Sequence, residues 1–275
     1  MVRVLSWNLW WQFGPWEERR PAIEAEVELL APDIALFQEV WSTETEDQAA
    51  LLGERTGMHV ARTTEENGEP QSFGNAVLSR WPIEVLEVIR LPDENGDPSH
   101  RSALAASVAT PAGDQVVVVT HLAWQYTAAA LRLRQLQDVV DLVAKHHPED
   151  PDAPPTILAG DFNAVPDSDE IRRLTGVAAP FNPDLVFTDC WAAVGDGPGY
   201  TWTRENPHSG DALWPRRRVD YVFVTWPRPK PLGNPLSARL VGVDAAHGIV
   251  PSDHYGVAVE LDDRTSLEQE KPNGA

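Results

Sequence analysis

Five runs with the alternating, β-branched character of strands follow one another at 58–62, 74–79, 83–90, 102–108 and 115–120, joined by short turns. Asn95 with Gly96 and Ala112 with Gly113 supply turn chemistry, and the second pair is placed for a hairpin. Strands linked so tightly pair antiparallel, because a parallel neighbour needs a long crossover. Further strands are expected at 2–7, 34–37, 157–159, 219–224, 237–243 and 255–261, and helices at 17–30, 44–56, 127–145 and 168–175. About a dozen strands against three or four helices exclude a barrel of strand-helix units and predict an α+β fold. Two mainly antiparallel sheets would pack face to face with the helices outside.

The chain has 275 residues and no linker at which to divide it, so a single domain over 1–262 is expected, followed by a polar, disordered tail at 263–275. The proline-rich patches at 148–155 and 227–235 are short and read as loops. One cysteine, Cys190, excludes an internal disulfide and a thiolate metal cluster, and it favours a reducing, cytoplasmic setting. Val2, Arg3 and Val4 already begin a strand pattern, which leaves no signal peptide. No apolar run approaches the roughly 20 residues that span a bilayer, so no membrane partner is expected. The formal charge of −20 repels polyanions. Nucleic acid is therefore disfavoured as a partner, although a local basic cleft stays open, and a monomer is expected.

The chemistry gathers where strands end. In TILAGDFNAVP, Ile157, Leu158 and Ala159 run into Gly160, which would let the backbone make a sharp exit, and then Asp161, Phe162 and Asn163. Residues two apart share a face, so Asp161 and Asn163 would point together while Phe162 returns to the core. Asn8 follows VLSW, Glu39 follows IALFQ, His121 follows VVVVT, and Asp253 and His254 precede the last strand. Singly, each has an ordinary structural use: an Asx turn, a helix cap, a satisfied histidine. Together, polar groups set just past buried runs are expensive unless something uses them. Carboxylates and amides without a thiolate suit Mg²⁺ or Mn²⁺ better than zinc.

These segments carry a resemblance. WNLW at 7–10, LFQEV at 36–40, GNAVLSRWPI at 74–83, THL at 120–122, GDFN at 160–163, RVDYVFV at 218–224 and SDH at 252–254 resemble, in order, the motifs of the endonuclease/exonuclease/phosphatase superfamily. The resemblance implies a four-layer αββα sandwich, similar to deoxyribonuclease I, and divalent-metal hydrolysis of a phosphoester. It implies Glu39 as principal metal ligand, with Asn8 and Asp253 nearby. Asp161 would orient or deprotonate the attacking water, and Asn163 would hold the scissile phosphate. His254 would contact that phosphate with Asp220 fixing its tautomer, and His121 would bind phosphate or protonate the leaving oxygen. Asp161 and His254 are also candidates for holding a second ion. In-line displacement needs an aligned water, a cation and a proton source, and this set supplies them.

Arg101, ahead of a strand, is a candidate phosphate contact or a solvated strand end. Arg216, Arg217 and Arg218 form a dense basic cluster before Asp220, able either to draw in an anion or to pair surplus acids, and Arg218 could instead pair with Asp220. His208, in the same loop, receives no role. Of eleven tryptophans, Trp10, Trp11, Trp16, Trp124, Trp202 and Trp214 fall where they could wall a pocket, while Trp7, Trp81 and Trp191 read as core. Around Trp10 the chain lacks the acidic residue that abasic-site nucleases carry two places after the asparagine. That disfavours a DNA-repair role, and the acidic surface with an aromatic-walled pocket makes hydrolysis of a small organic or sugar-like phosphate the expected activity. A nuclease and a non-catalytic binding module that keeps the fold are the alternatives.

Overall fold

The computed structural model describes residues 1–64, 72–150, 152–209, 215–226, 231–245 and 248–264. Its elements run β1 (Val2–Asn8), α1 (Trp16–Leu30), β2 (Ile34–Trp41), α2 (Gln48–Thr56), β3 (His59–Arg62), β4 (Phe73–Ser79), β5 (Ile83–Pro92), β6 (Pro98–Thr110) and β7 (Gly113–His121), followed by α3 (Ala129–His146), β8 (Ile157–Asp161), α4 (Asp169–Leu174), β9 (Val186–Asp189), α5 (Cys190–Val194), β10 (Asp220–Trp226), β11 (Pro235–Val241) and β12 (Gly256–Leu261). Trp214 and the expected tail beyond 264 lie outside the described residues.

One six-stranded sheet has the order β11-β12-β1-β2-β4-β3, the other β5-β6-β7-β8-β10-β9. Each is antiparallel except for one central parallel pair, β1 with β2 and β7 with β8. Those two pairs are the ones whose connections contain a long helix, α1 and α3, which provide the crossover that parallel pairing requires. The period of two then sorts the side chains. Val4, Leu36, Val117, Val119, Ala159 and Val222 face the space between the sheets. Leu5, Trp7 and Phe37 face the opposite way, against Ile23 and Val27 of α1 and Leu52 of α2. On the outer face of the second sheet Val118, Leu158 and Phe223 meet Leu136, Val139 and Val143 of α3. The result is the expected αββα sandwich. Each fully buried Leu or Val contributes roughly 1.5–3 kcal/mol, so three stacked cores supply most of the driving force.

Several local expectations shift. The second helix starts at Gln48 rather than at residue 44, because Asp47 caps it by accepting from Ala50 N at 2.9 Å. Strand β2 continues past residue 37 to Trp41 through an irregular register between Phe37 and Val40. The four-residue β9 and five-residue α5 were not expected, being too short to show a period. Gly160 does not make the exit from its strand. It stays in the ladder at φ +151°, where an added Cβ would lie 1.9 Å from Thr120 O, and the exit comes later, at Asn163 with φ 50°. Among the described residues no helix is long and apolar enough to cross a membrane.

Candidate active site

Strand register assembles the centre of the site. In the second sheet Asp161 stands between His121 on β7 and Asp220 on β10, paired with both. The facing sheet sends Asn8 from the end of β1, whose Nδ2 donates to Asp161 Oδ2 and to Glu39 Oε1 at 3.2 Å each. Asn8 Oδ1 accepts from Trp10 N at 2.9 Å, so the amide turns its nitrogen toward the carboxylates. Asp161 Oδ1 accepts from Asn163 N at 2.9 Å, which closes an Asx turn, and Asn163 Nδ2 donates to Leu122 O at 3.2 Å. Phe162 between them is wholly buried against Tyr221 and Phe223, as the alternation requires.

His254 reaches the same point from the loop before β12. Its Nδ1 lies 2.9 Å from Asp220 Oδ2 and its Nε2 faces Asp161 Oδ2 at 3.9 Å. Two bonds fix that loop on β1: Trp7 Nε1 donates to His254 O at 2.9 Å, and Ser252 Oγ donates to Asn8 O at 2.7 Å. Burial works against a charge on His254, but Asp220, Asp253 and Asp161 surround it and raise it well above the ordinary imidazole range. His121 goes the other way. Burial, and then Arg101 beside it, bring it down to about 4 despite Asp161. Asp161 is likewise buried, yet the attraction of His121 and His254 and the Asn163 N–H hold its carboxyl well below the usual range. The site therefore has an anionic centre, one cationic histidine and one neutral histidine.

Glu39 arrives through strain. It sits at the irregular register of β2 with φ 54°, a left-handed conformation that costs a non-glycine residue about 1–3 kcal/mol and persists where the surroundings enforce it. Its Oε2 is buried with no hydrogen-bond partner, and burial raises its pKa. Burial also raises Asp253, to about 7, with Glu39 adding to the effect. Two carboxylates that burial drives toward the protonated state, one with an orphaned oxygen, fit a hard divalent cation. Asp161, Asp220 and His254 form a second group of possible ligands with donor atoms within 4.8 Å of one another, although His254 and Asp220 are already bonded to each other.

The site opens into a cavity of about 570 Å³, with Glu39, His121, Asp161, Asn163, Asp253 and His254 on its walls together with Trp10, Phe13, Phe73, Trp124, Tyr126, Trp202, His100, Arg101 and Arg217. Thus Trp10, Trp124 and Trp202 of the six singled-out tryptophans line it. Trp11 instead donates to Ser72 O, and Trp16 packs edge-on against Trp41. Phe13, Phe73 and Tyr126 complete the wall without any sequence signal beyond their type. Arg101 is a wall residue rather than a solvated strand end, 7% exposed with Nη1 2.6 Å from both ring nitrogens of His121. His208 lies behind Trp10, ring centroids 5.0 Å apart, and bonds to Val250 O. The arginine cluster divides: Arg216 pairs with Glu205, and Arg218 pairs with Asp189 rather than with Asp220.

One structural residue was missed in the sequence. Arg19 on α1 is fully buried; its Nη1 donates to Leu9 O and Pro251 O at 3.0 and 2.8 Å, and its Nη2 to Trp10 O, Trp11 O and Phe13 O at 3.0, 3.1 and 2.8 Å. Its guanidinium lies 4.5 Å from the Trp10 ring centroid. It fastens the loop of Trp10 and Trp11, both at positive φ, to the loop before Asp253. On the sequence it is an arginine in an amphipathic helix, with nothing to separate it from Arg20.

A sequence model of the Endonuclease/Exonuclease/phosphatase family matches residues 5–254. No curated protein matches the sequence. Among solved structures, D. rerio TDP2 complexed with single strand DNA product superposes with a TM-score of 0.73 at 21% identity, covering 94% of this chain and 97% of that one. Truncated Caenorhabditis elegans TDP2 gives 0.71 at 18% identity, covering 94% and 96%. An endonuclease/exonuclease/phosphatase from Beutenbergia cavernae DSM 12333 gives 0.68 at 28% identity, covering 94% of this chain and 70% of that one.

Proposed function

The chain belongs to the Endonuclease/Exonuclease/phosphatase family and is a metal-dependent hydrolase of phosphoester bonds; from that premise we propose that its substrate is a small organic or sugar-like phosphate, mono- or diester, cleaved by direct attack of water. The observation that carries this reading is the position of Asp161, buried and anionic between His121, Asn8 and His254, on the wall of an aromatic-lined cavity.

Asp161 orients the attacking water and accepts its proton. Asn163 holds the phosphate from the same turn. His254, kept protonated by Asp220, neutralises charge on the equatorial oxygens and is the proton-rich group nearest the reacting centre. His121, neutral, contacts phosphate rather than acting as the acid. Glu39 and Asp253 would hold Mg²⁺ or Mn²⁺, which when bound would supply positive charge at the reacting phosphate, and Asn8, whose Nδ2 donates to Glu39 Oε1, positions that carboxylate. The domain reading of 1–262, the monomeric state and the cytoplasmic setting stand as parts of this proposal, supported by the absence of a linker and by the single buried Cys190.

Cleavage of DNA or RNA is the second reading. Arg101 and Arg217 favour it, because they place positive charge on the cavity wall of a chain whose total is −20. A panel of p-nitrophenyl phosphate, bis(p-nitrophenyl) phosphate, plasmid DNA and RNA, each titrated with Mg²⁺ and Mn²⁺, separates the readings. Preference for the short esters supports the first. Faster, strongly salt-sensitive cutting of polymer supports the second. No metal-dependent turnover on any of them, together with no metal binding, contradicts both.

A further inference from the structure

Three consecutive arginines, 216–218, meet three different fates. Arg216 is exposed, and its Nε donates to both carboxylate oxygens of Glu205 at 2.8 and 3.0 Å. Arg218 is buried, and its Nη1 donates to both oxygens of Asp189 at 2.9 and 2.7 Å, with its guanidinium 4.7 Å from the Tyr221 ring centroid. Arg217 is half-buried, and among the described residues no carboxylate pairs with it. Its guanidinium lies 4.2 Å from the Tyr126 ring centroid, and its Nη2 makes one long bond to Asn163 O at 3.4 Å. Its backbone is held in register with Trp202 by a reciprocal pair of bonds, at 3.0 and 2.8 Å.

Stacking on an aromatic face fixes the plane of a guanidinium and leaves its N–H edges free to take an anion by two parallel bonds. Arg217 also lines two spaces at once: the catalytic cavity, and a neighbouring groove of about 480 Å³ that runs along Pro166, Trp191 and Tyr200. It stands in the doorway between them, tethered to the main chain of Asn163. An anion bound there would lie beside Asn163, the residue assigned above to the scissile phosphate.

We propose that Arg217, held by Tyr126, is a specificity-determining residue that binds a second phosphate of the substrate, carried on the alcohol portion of the ester next to the scissile phosphate. The inference rests on the phosphoesterase reading of the cavity and narrows it to compounds with two neighbouring phosphates. The neutralised flanking arginines sharpen the selection, since of the three consecutive arginines Arg217 alone has no carboxylate partner among the described residues. A bidentate charge-assisted contact of this kind is worth about tenfold to a hundredfold in kcat/KM.

The test compares two chromogenic diesters, the 5′-(p-nitrophenyl phosphate) of thymidine and the same compound carrying a 3′-phosphate, both releasing p-nitrophenolate. The wild-type protein is expected to favour the 3′-phosphorylated compound at least tenfold in kcat/KM, mainly through KM. In Arg217→Ala that ratio should fall to near one, with Tyr126→Leu in between. Arg216→Ala should keep the wild-type ratio. A wild-type ratio near one, or a ratio that survives in Arg217→Ala, overturns the proposal while leaving the phosphoesterase reading intact. If the wild-type protein turns over neither diester, that reading fails separately. Calorimetric binding of thymidine 3′,5′-bisphosphate against thymidine 5′-monophosphate to wild type and Arg217→Ala then decides, and equal affinities overturn the inference.

Discussion

His121 Nε2 lies 3.3 Å from Asp161 Oδ2, and the two residues stand opposite each other in the parallel pairing of β7 with β8. The contact is a consequence of strand register, so it is as rigid as the sheet. It helps keep the carboxylate anionic, while burial and Arg101 keep the imidazole neutral against the pull of Asp161. Each expectation below follows from one such placement.

Because burial and Arg101 lower His121 to about 4, from an ordinary 6.5, the unfolded chain binds a proton between those values that the folded chain does not. The His121 contribution is therefore complete above about pH 6.5 and is lost as the pH falls toward 4, to a limit of roughly 3 kcal/mol. Urea unfolding of wild type and His121→Asn across pH 4 to 7 should show the wild type losing the more stability on acidification. Parallel curves would contradict this placement of His121.

Glu39 and Asp253 are carboxylates that burial raises in the absence of a cation. A divalent ion that binds the folded state alone adds stability as its concentration passes Kd. Mg²⁺ or Mn²⁺ should raise the melting temperature of the wild type, and Glu39→Gln should lose most of that shift. EDTA should return the wild type to its metal-free value. An equal shift in the variant would place the ion elsewhere.

Gly160 leaves no room for a side chain, since a Cβ would lie 1.9 Å from Thr120 O at a φ of +151°. Gly160→Ala must push β7 from β8, separating His121 from Asp161. A loss of about 3 kcal/mol or more is expected in chemical denaturation, with activity falling alongside.

Arg19 bonds to five main-chain carbonyls of the Trp10 and Pro251 loops. Arg19→Met removes that donor from all five, although Trp10 O still accepts from Phe13 N. It should cost about 2–4 kcal/mol in stability. Arg19→Lys, which keeps the charge but not the fork, should raise KM more than it lowers kcat, because the Trp10 wall loosens while Asp161 and His254 stay. A purely structural role would leave the KM of the folded variant unchanged.

Much of the fold was legible because alternation and buried runs report directly on sheets, and the site was legible because its residues stand at the ends of those runs. Asn8, His121, Asp161 and Asp220 all occupy strand termini that pair with a neighbour in register. What was hidden depends on geometry that no period encodes. The bend that aims Glu39 comes from a positive φ inside β2, with no glycine to announce it. Gly160 looked like a turn and is instead a close contact between two strands. The arginines at 216–218 form one basic block in sequence, yet Glu205 and Asp189, distant or buried partners, neutralise two of them. Arg19, Phe13, Phe73 and Tyr126 gain their roles only when loops from separate parts of the chain meet.

The account turns on Asp161 as the group that handles the water, and metal-dependent turnover by wild type and Asp161→Asn addresses it most directly. With bis(p-nitrophenyl) phosphate titrated with Mg²⁺ or Mn²⁺, the wild type should show saturable, metal-dependent release of p-nitrophenolate. The folded variant should lose about three orders of magnitude or more in kcat, on the scale seen when a catalytic group is removed. Wild-type-like turnover by Asp161→Asn would contradict the central claim.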